Sequence, residues 1–199
     1  MPLSTIYLPS DEGRFHQGEI LANVKQYVVA EQSDGEITSW KAIKFDICVV
    51  VSQECDLEQD FKIRKAEPVE TPKLLKNVLL CVALPAELFK GTPQPGDDPV
   101  KIDSKGRQSA LRNKNERFHF LESHDDFEEL FVDFKSYLTI PTSDLYSQVG
   151  DSASRLCRLS SPYMEQLSNR CFSYLSRIAL PREHLKKSDK DKALSQNNG

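Results

Sequence analysis

The sequence predicts a mostly β protein, a small and strongly bent antiparallel barrel that is covered by one C-terminal helix. About seven short apolar or alternating segments, separated by turn residues, follow one another along the chain. One of them, residues 45–51, is apolar on both alternating faces, as is typical of a central strand that is covered on both sides. After Ser161-Pro162, apolar residues recur at spacings of three and four, which predicts a helix over about residues 162–179 that packs on the sheet.

Each strand is predicted from its own local pattern of apolar and β-branched residues, bounded by turn signals such as Ser33-Asp34-Gly35. In chain order the predicted strands are 18–24 with a continuation or return at 26–29, 37–43 with the only tryptophan Trp40, 45–51, 77–84, 117–121, 127–140 as one or two strands, and 155–159. The segments at 46–52 and 77–84 are expected to be central because both are continuous apolar runs.

The remaining segments are predicted to be loops. Residues 57–73 are charged and contain two prolines, which indicates a surface loop. Residues 91–115 combine glycine, proline and charge and form a long excursion loop, with a short helix expected at 109–115. We expect one domain over 1–181 and a flexible polar tail over 182–199.

Composition indicates a soluble protein of the cytoplasm. No apolar run approaches the roughly 18–20 residues that a bilayer span requires, and the N-terminus lacks the features of a signal peptide. The five dispersed cysteines are typical of reduced, buried thiols, so no disulfide is expected. The net charge of −4 argues against a protein that coats nucleic acid by bulk electrostatics, although a local basic site remains open.

The candidate functional site is the run of polar and reactive side chains that follows the predicted central strand. Functional groups are often held on a loop by a rigid scaffold. Here Ser52, Gln53 and Cys55 are interpreted as a binding or structural loop, and Glu54 and Asp56 as its acidic groups. The alternative is a capped turn in which Cys55 is a small buried residue. A nucleophilic Cys55 is disfavoured because adjacent carboxylates disfavour a thiolate.

Metal-independent RNA cleavage is one chemistry that these residues could support. It needs a base, an acid and a cation that stabilises the phosphorane. Glu54 or Asp56 is the candidate base, His119 the candidate acid, and Arg117 (or Arg112) the cation. This arrangement requires the 52–56 loop to lie beside Arg117 and His119.

Two carboxylates near this loop, Asp46 and Asp56, are expected to be partly buried, with Arg117 as their bidentate partner. A zinc site is not expected because no Cys-x-x-Cys pair is present, and only a convergence of distant groups would supply one (Cys55, Asp56, His119 and His124). His16 and His184 are predicted to be exposed and without a specific role. The alternation of basic and aromatic groups over 117–120 suits either base stacking or, as we favour, the core.

Several short motifs resemble the MazF/PemK-type toxin family, an SH3-like barrel with a C-terminal helix. Gly18-Glu19-Ile20 is similar to the family's opening strand, and Val49-Val50-Val51-Ser52 to its apolar strand that ends in serine. Residues 78–85, 132–141 and 155–159 are similar to its later strands. The resemblance implies a bacterial toxin–antitoxin or phage-defence setting, a symmetric dimer, and RNA as a ligand.

The sequence departs from this family at the positions where its RNA-cleaving members carry catalytic residues. Asp46 and Ile47 stand where the family has arginine and proline, and Glu87 stands where it has a threonine or serine. The favoured hypothesis is therefore a non-catalytic interaction module that acts through the 52–56 loop on a protein partner or a second copy, without a cofactor. The alternative is an endoribonuclease that uses Glu54 or Asp56 with His119. Convergence of Cys55, Asp56 and His119 in an open pocket would favour the enzyme, and side chains bonded to the backbone would favour the module.

Overall fold

The computed structural model describes residues 6–10, 13–33, 36–66, 71–89 and 102–177. The predicted turn at 34–35, most of the predicted loop before residue 102 and the predicted tail at 182–199 lie outside these residues. The described residues form one curled, fully antiparallel sheet and four α-helices, so the predicted mostly β class with a C-terminal helix is confirmed.

The sheet has the strand order β1-β7-β2-β3-β4-β6-β5. Its strands are β1 (Tyr7–Leu8), β2 (Glu19–Ser33), β3 (Glu36–Val50), β4 (Asn77–Pro85), β5 (Phe118–Leu121), β6 (Leu130–Pro141) and β7 (Ser154–Leu159). The predicted segments 37–43 and 45–51 are thus one strand, β3, which lies in the middle of the sheet. The prediction that this strand and β4 are central is confirmed.

Alternation along β3 explains its central position. Cys48 and Val50 face one core cluster, and Val49 and Val51 face the other, with all four side chains fully buried. A strand whose two faces are both apolar can be satisfied only when both faces are covered. The run of valines therefore organises the core on each side of the sheet.

β2 and β3 continue as a two-stranded ribbon beyond the rest of the sheet. β4 pairs with β3 only at Cys48, Val49 and Val50, and β7 pairs with β2 only over 19–22. Among the described residues, 25–33 and 36–44 therefore pair only with each other in the sheet, and we call them the ribbon.

The helices account for the main errors of the sequence prediction. They are α1 (Glu54–Arg64), α2 (Ser104–Leu111), α3 (Thr142–Asp151) and α4 (Tyr163–Leu175). α1 replaces most of the loop predicted over 57–73, because burial of Leu57 and Asp60 fixes one face of this charged segment to the protein. α2 begins five residues earlier than the predicted short helix, and its N-cap Asp103 accepts a hydrogen bond from Gly106 N.

α3 was not predicted, whereas α4 was. α3 is anchored by Thr142, which donates from Oγ1 to Leu75 O at 2.7 Å. In α4 the predicted stripe packs as expected, with Leu167 and Cys171 fully buried. Among the described residues, no helix combines the length and apolar character that crossing a bilayer requires.

Candidate functional site

Ser52 joins the end of β3 to β4 through the backbone. Leu79 O accepts hydrogen bonds from Val51 N and Ser52 N, at 2.9 Å and 3.4 Å. Leu79 N in turn donates to Ser52 Oγ at 2.8 Å. The serine therefore extends the β3–β4 ladder by a side-chain contact and has a structural role.

Gln53, Cys55 and Asp56 lie on the solvent side of the first turn of α1. Cys55 and Asp56 are both exposed, so the predicted burial of Cys55 and the predicted partial burial of Asp56 are both wrong. The cause is helical periodicity, because Leu57 and Asp60 occupy the buried face and turn these residues outward. Cys55 Sγ is 3.7 Å from both Gln53 Oε1 and Asp56 Oδ1.

Glu54, the first residue of α1, fastens this helix to the segment before β2. Its Oε1 accepts a hydrogen bond from Arg14 Nη2 at 2.7 Å and lies 3.0 Å from His16 Nδ1. Its Oε2 accepts from Gln17 N at 2.8 Å. Each carboxylate oxygen is thus engaged in a charge-assisted contact.

The antiparallel pairing of β2 and β3 explains why these two segments meet. The start of β2 must lie beside the end of β3, and Gly18 N donates to Val50 O at 2.8 Å. Gly18 has a φ of +75°, and a Cβ added there would lie 3.1 Å from Leu159 Cβ. The close packing and the backbone conformation both favour glycine at this position.

His16 is the residue that sequence reasoning missed, since it is 3% exposed rather than free in solvent. Its Nδ1 lies 3.0 Å from Glu54 Oε1 and also 3.0 Å from Arg158 Nη1. When Nδ1 carries a proton it can donate a hydrogen bond to the Glu54 carboxylate, and when it carries none it can accept one from the Arg158 guanidinium. The expected antiparallel pairing of β2 with β3 could have predicted the position of His16, because this pairing places residues just before β2 beside residues just after β3.

A second ion pair lies beneath His16. Glu19 is fully buried, and it accepts from Arg155 Nη1 at 3.0 Å and from His16 N at 3.0 Å. Burial raises the pKa of the Glu19 carboxyl, and the charge of Arg155 opposes this shift. We call Arg14, His16, Glu19, Glu54, Arg155 and Arg158 the strand-end cluster; it contains three arginines and two carboxylates.

His119 and Arg117 do not join this cluster. His119 is 2% exposed in β5, and its Nδ1 is buried without a hydrogen-bond partner. Burial lowers the pKa of His119 to about 3, which keeps the imidazole neutral. Within the described part of the chain, no hydrogen bond or ion pair connects the 52–56 segment with either residue, so their predicted proximity is wrong.

Arg117 has the bidentate carboxylate partner that was predicted, but the partner is Asp133. Arg117 Nε and Nη2 donate to the two carboxylate oxygens of fully buried Asp133 at 2.7 Å and 2.6 Å. Asp133 also accepts from Lys135 N and Ser136 Oγ. The side chain of Asp46, by contrast, is 92% exposed and lies 3.6 Å from Lys44 Nζ, so its predicted partial burial is wrong.

The described residues contain no group of three or more His, Cys, Asp and Glu side chains that could hold a metal ion. The alternation over 117–120 belongs to the core, as we favoured. Phe118 and His119 are buried, and Phe118 packs against Phe89 and Phe131.

The ribbon carries a second candidate site, which consists of exposed aromatic and basic side chains. Register pairs Lys25 with Lys44, Tyr27 with Ala42 and Val29 with Trp40. Paired residues share a face of an antiparallel sheet, as do residues two apart, so these six side chains form one surface, the ribbon face. Tyr27 is 55% exposed and Trp40 is 62% exposed.

A cleft of about 410 Å³ lies between the ribbon face and the start of α3. Tyr27 and Trp40 line one side, and Pro141 and Asp144 line the other. Gln148 holds the two sides together, because its amide donates to Lys25 O and accepts from Lys25 N, both at 2.8 Å. The cleft is therefore a preformed feature with an aromatic wall.

The two sites define an antiparallel β domain with a buried ion-pair cluster at one strand end and an exposed aromatic ribbon. Comparison of the chain with family models, with curated proteins and with solved structures finds no match. The proposed function therefore rests on the geometry of these two sites and on the sequence motifs.

Proposed function

We propose that this protein is a divergent MazF/PemK-like interaction module of a bacterial toxin–antitoxin or phage-defence system, which binds single-stranded RNA on the ribbon face. The bacterial setting rests on the resemblance carried by residues 18–20 and 49–52. The ligand class rests on one observation: two exposed aromatic side chains, Tyr27 and Trp40, share a face with the opposed lysines Lys25 and Lys44.

Stacking of bases supports this ligand class. Proteins that bind single strands combine aromatic platforms, on which bases stack, with cations that contact the phosphates. Tyr27 and Trp40 are diagonal neighbours in the ribbon, and such neighbours lie about 7–8 Å apart. Their rings thus offer two adjacent platforms at the mouth of the cleft.

The lysine pair supports the same conclusion electrostatically. Like charges placed directly opposite each other on one sheet face are destabilising. A bound polyanion removes this repulsion between Lys25 and Lys44. The Lys44–Asp46 contact is solvent-exposed at 3.6 Å, and an exposed pair of this kind offsets little of it.

The 52–56 segment is better suited to holding the fold than to binding. Ser52 is bonded to the backbone of Leu79, and Glu54 to the backbone of Gln17. Cys55 and Asp56 are exposed and His119 is buried in β5, so the three residues neither converge in an open pocket nor bond to the backbone through their side chains in the described structure. We therefore place the binding face on the ribbon, although the sequence favoured the loop.

The test is a titration with a fluorescently labelled 12-nucleotide single-stranded uridine oligomer at low salt. Wild-type protein should bind, and the fluorescence of Trp40, the only tryptophan in the chain, should be quenched. Stacking contributes about 1–3 kcal/mol per base, so Trp40→Ala and Tyr27→Ala should each weaken binding by about five-fold or more.

Phe172→Ala is the matched control, because Phe172 is an aromatic side chain on α4 that is 37% exposed. It should leave the affinity unchanged, and duplex RNA should bind more weakly because its bases are already stacked. Failure of the wild-type protein to bind, or equal affinity of Trp40→Ala and wild type, would refute the proposal.

Metal-independent RNA cleavage is a second candidate function, and the position of His16 between Glu54 and Arg158 favours it. In this scheme Glu54 accepts the proton of the 2′-hydroxyl as the 2′-oxygen bonds to phosphorus. The bond from phosphorus to the 5′-oxygen breaks, and His16 gives a proton to that oxygen. Arg158 stabilises the charge of the phosphorane. His16 and Arg158 take the roles that the sequence suggested for His119 and Arg117.

Cleavage is tested with a labelled RNA in the presence of a chelator. The wild-type protein should produce fragments that end in a cyclic phosphate, and His16→Asn should produce none while remaining folded by circular dichroism. His124→Asn changes a histidine outside the strand-end cluster and should cleave normally. Absence of cleavage by wild-type protein would reject the enzyme and leave the binding proposal intact.

A further inference from the structure

Two of the five cysteines meet in the core between the sheet and the C-terminal helix. Cys81 Sγ in β4 lies 3.7 Å from Cys171 Sγ in α4, although the two residues are 90 positions apart. Both are fully buried and free. No other pair of thiols among the five makes a sulfur–sulfur contact in the described structure.

We propose that Cys81 and Cys171 form a peroxide-oxidisable dithiol, whose disulfide locks α4 onto β4. The dithiol is independent of the ribbon face and of the strand-end cluster. It is compatible with reduced cysteines in the resting protein, because the disulfide forms only when a peroxide supplies the oxidising equivalents.

The chemistry begins at Cys171. The two sulfurs lie within hydrogen-bonding distance, and either can be the donor. With Cys81 as the donor, the hydrogen bond lowers the pKa of Cys171 and raises that of Cys81. The Cys171 thiolate attacks one oxygen of hydrogen peroxide, the O–O bond breaks, and the departing hydroxide takes up the proton released by Cys171 to form water. Cys171 is then a sulfenic acid.

The second step closes the bond. Cys81 sulfur attacks Cys171 sulfur, the S–O bond breaks, and the departing hydroxide takes the Cys81 proton as water. Two thiols and one hydrogen peroxide give one disulfide and two waters. The two sulfurs need only a short approach. The other buried thiols, Cys48 and Cys157, make no sulfur–sulfur hydrogen bond among the described residues, and burial raises the pKa of each to about 12.

The disulfide would act on a helix that holds several parts of the molecule together. Ser168 Oγ in α4 accepts a hydrogen bond from Gln17 Nε2 at 2.8 Å. Arg170 donates to the carbonyl oxygens of Asn115 and Phe118 at 2.6 Å and 2.8 Å. Covalent attachment of α4 to β4 therefore secures the start of β2 and the entry to β5 as well. Peroxide reaches the pair when α4 opens locally.

The experiment treats folded, reduced protein with hydrogen peroxide, alkylates it under denaturing conditions and maps the peptides by mass spectrometry. The reduced protein should show five alkylated thiols, one for each cysteine. The oxidised protein should lose two of them and yield a linked peptide that contains Cys81 and Cys171. Its thermal midpoint should rise and return to the original value after treatment with dithiothreitol.

Cys55→Ser is the control, because Cys55 is the exposed cysteine. It should form the same linked peptide and show the same thermal shift, whereas Cys171→Ser should show neither. Recovery of Cys81 and Cys171 as thiols from peroxide-treated wild type would overturn the proposal. So would a linked peptide that forms in urea but not in the folded protein.

Discussion

At the scale of single residues, burial decides what the titratable groups can do. Asp133 and His119 are both almost fully buried in neighbouring strands, β6 and β5. Asp133 accepts four hydrogen bonds, two of them from the guanidinium of Arg117. His119 has a buried nitrogen without a partner and is held neutral. Asp133 therefore belongs to a structural ion pair with Arg117, whereas protonation of His119 at low pH destabilises the fold.

Arg117→Ala tests the ion pair. Removing the guanidinium leaves the buried carboxylate of Asp133 without its bidentate donor, and breaking a buried pair in this way costs about 3–5 kcal/mol. Urea denaturation should show a loss of this size. Arg177→Ala, which breaks an exposed pair with Glu116, is the control and should cost less than about 1 kcal/mol. Equal effects of the two changes would show that Asp133 does not depend on Arg117.

The burial of His119 predicts that the stability of the fold depends on pH. Its pKa is lowered from 6.5 to about 3 in the folded protein, so between these values the unfolded chain binds a proton that the folded chain does not. Stability is therefore full above pH 6.5 and is lost as pH falls toward 3, by up to about 1.4 kcal/mol per pH unit.

Urea midpoints measured from pH 8 to pH 4.5 check this dependence. The free energy of unfolding of the wild type should fall more steeply below about pH 6.5 than that of His119→Phe, and the two proteins should run in parallel above it. Parallel curves over the whole range would contradict the assigned burial.

At the scale of elements, α1 shows how a charged segment becomes a helix. Its sequence alone has no apolar stripe at helical spacing. Only two of its 11 residues are buried, and one of them, Asp60, is charged; the other is Leu57. Contacts at its first residue and near its middle hold it instead. Glu54 binds Arg14 and Gln17 N, while Asp60 accepts from Leu75 N at 2.9 Å.

Glu54→Ala tests the attachment of α1. The change removes an acceptor of charge-assisted hydrogen bonds and should lower the free energy of unfolding by about 2 kcal/mol. Glu58→Ala is the matched control, since Glu58 lies on the same helix in a surface pair with Lys62 at 2.7 Å. It should leave the urea midpoint nearly unchanged. A similar loss in both variants would mean that Glu54 contributes no more than a surface carboxylate.

At the scale of the whole molecule, β3 joins the two core clusters. Val50→Asp places an unpaired charge in the cluster that contains Leu21 and Leu80, which costs several kcal/mol, about as much as the total stability of many domains. The variant should therefore fail to fold, as judged by the absence of a cooperative thermal transition. Val29→Asp on the exposed ribbon, where Val29 is 44% exposed, should fold normally. A cooperative Val50→Asp protein would show that β3 is not central to stability.

The symmetric dimer implied by the family resemblance remains a prediction about the assembly. Two-fold assembly needs a self-complementary surface, and the short edge strands β1 and β5 are candidates. The opposed lysines of the ribbon face disfavour its use in self-association. Light scattering at micromolar concentration should give twice the mass of one chain, and a monomer mass would contradict the prediction.

The sequence by itself determined the positions of most strands, the central member of the sheet and the C-terminal helix. These elements depend on local patterns: the valines of β3 are apolar on both faces whatever surrounds them, and the stripe of α4 contains Leu167 and Cys171 at helical spacing. Burial of such patterns is nearly their only stable outcome.

Only the tertiary structure decided which polar groups meet. Arg117 was expected to pair with Asp46 or Asp56, but its carboxylate partner is Asp133, which the pairing of β5 with β6 brings beside it. His16 acquired its place beside Glu54 from the β2–β3 register, and Cys81 met Cys171 across 90 residues. Charged and polar side chains satisfy their partners through long-range geometry, so local sequence patterns do not specify those partners. The exposure of Trp40 is also decided by the tertiary structure, because the ribbon extends beyond the neighbouring strands that would have covered this side chain.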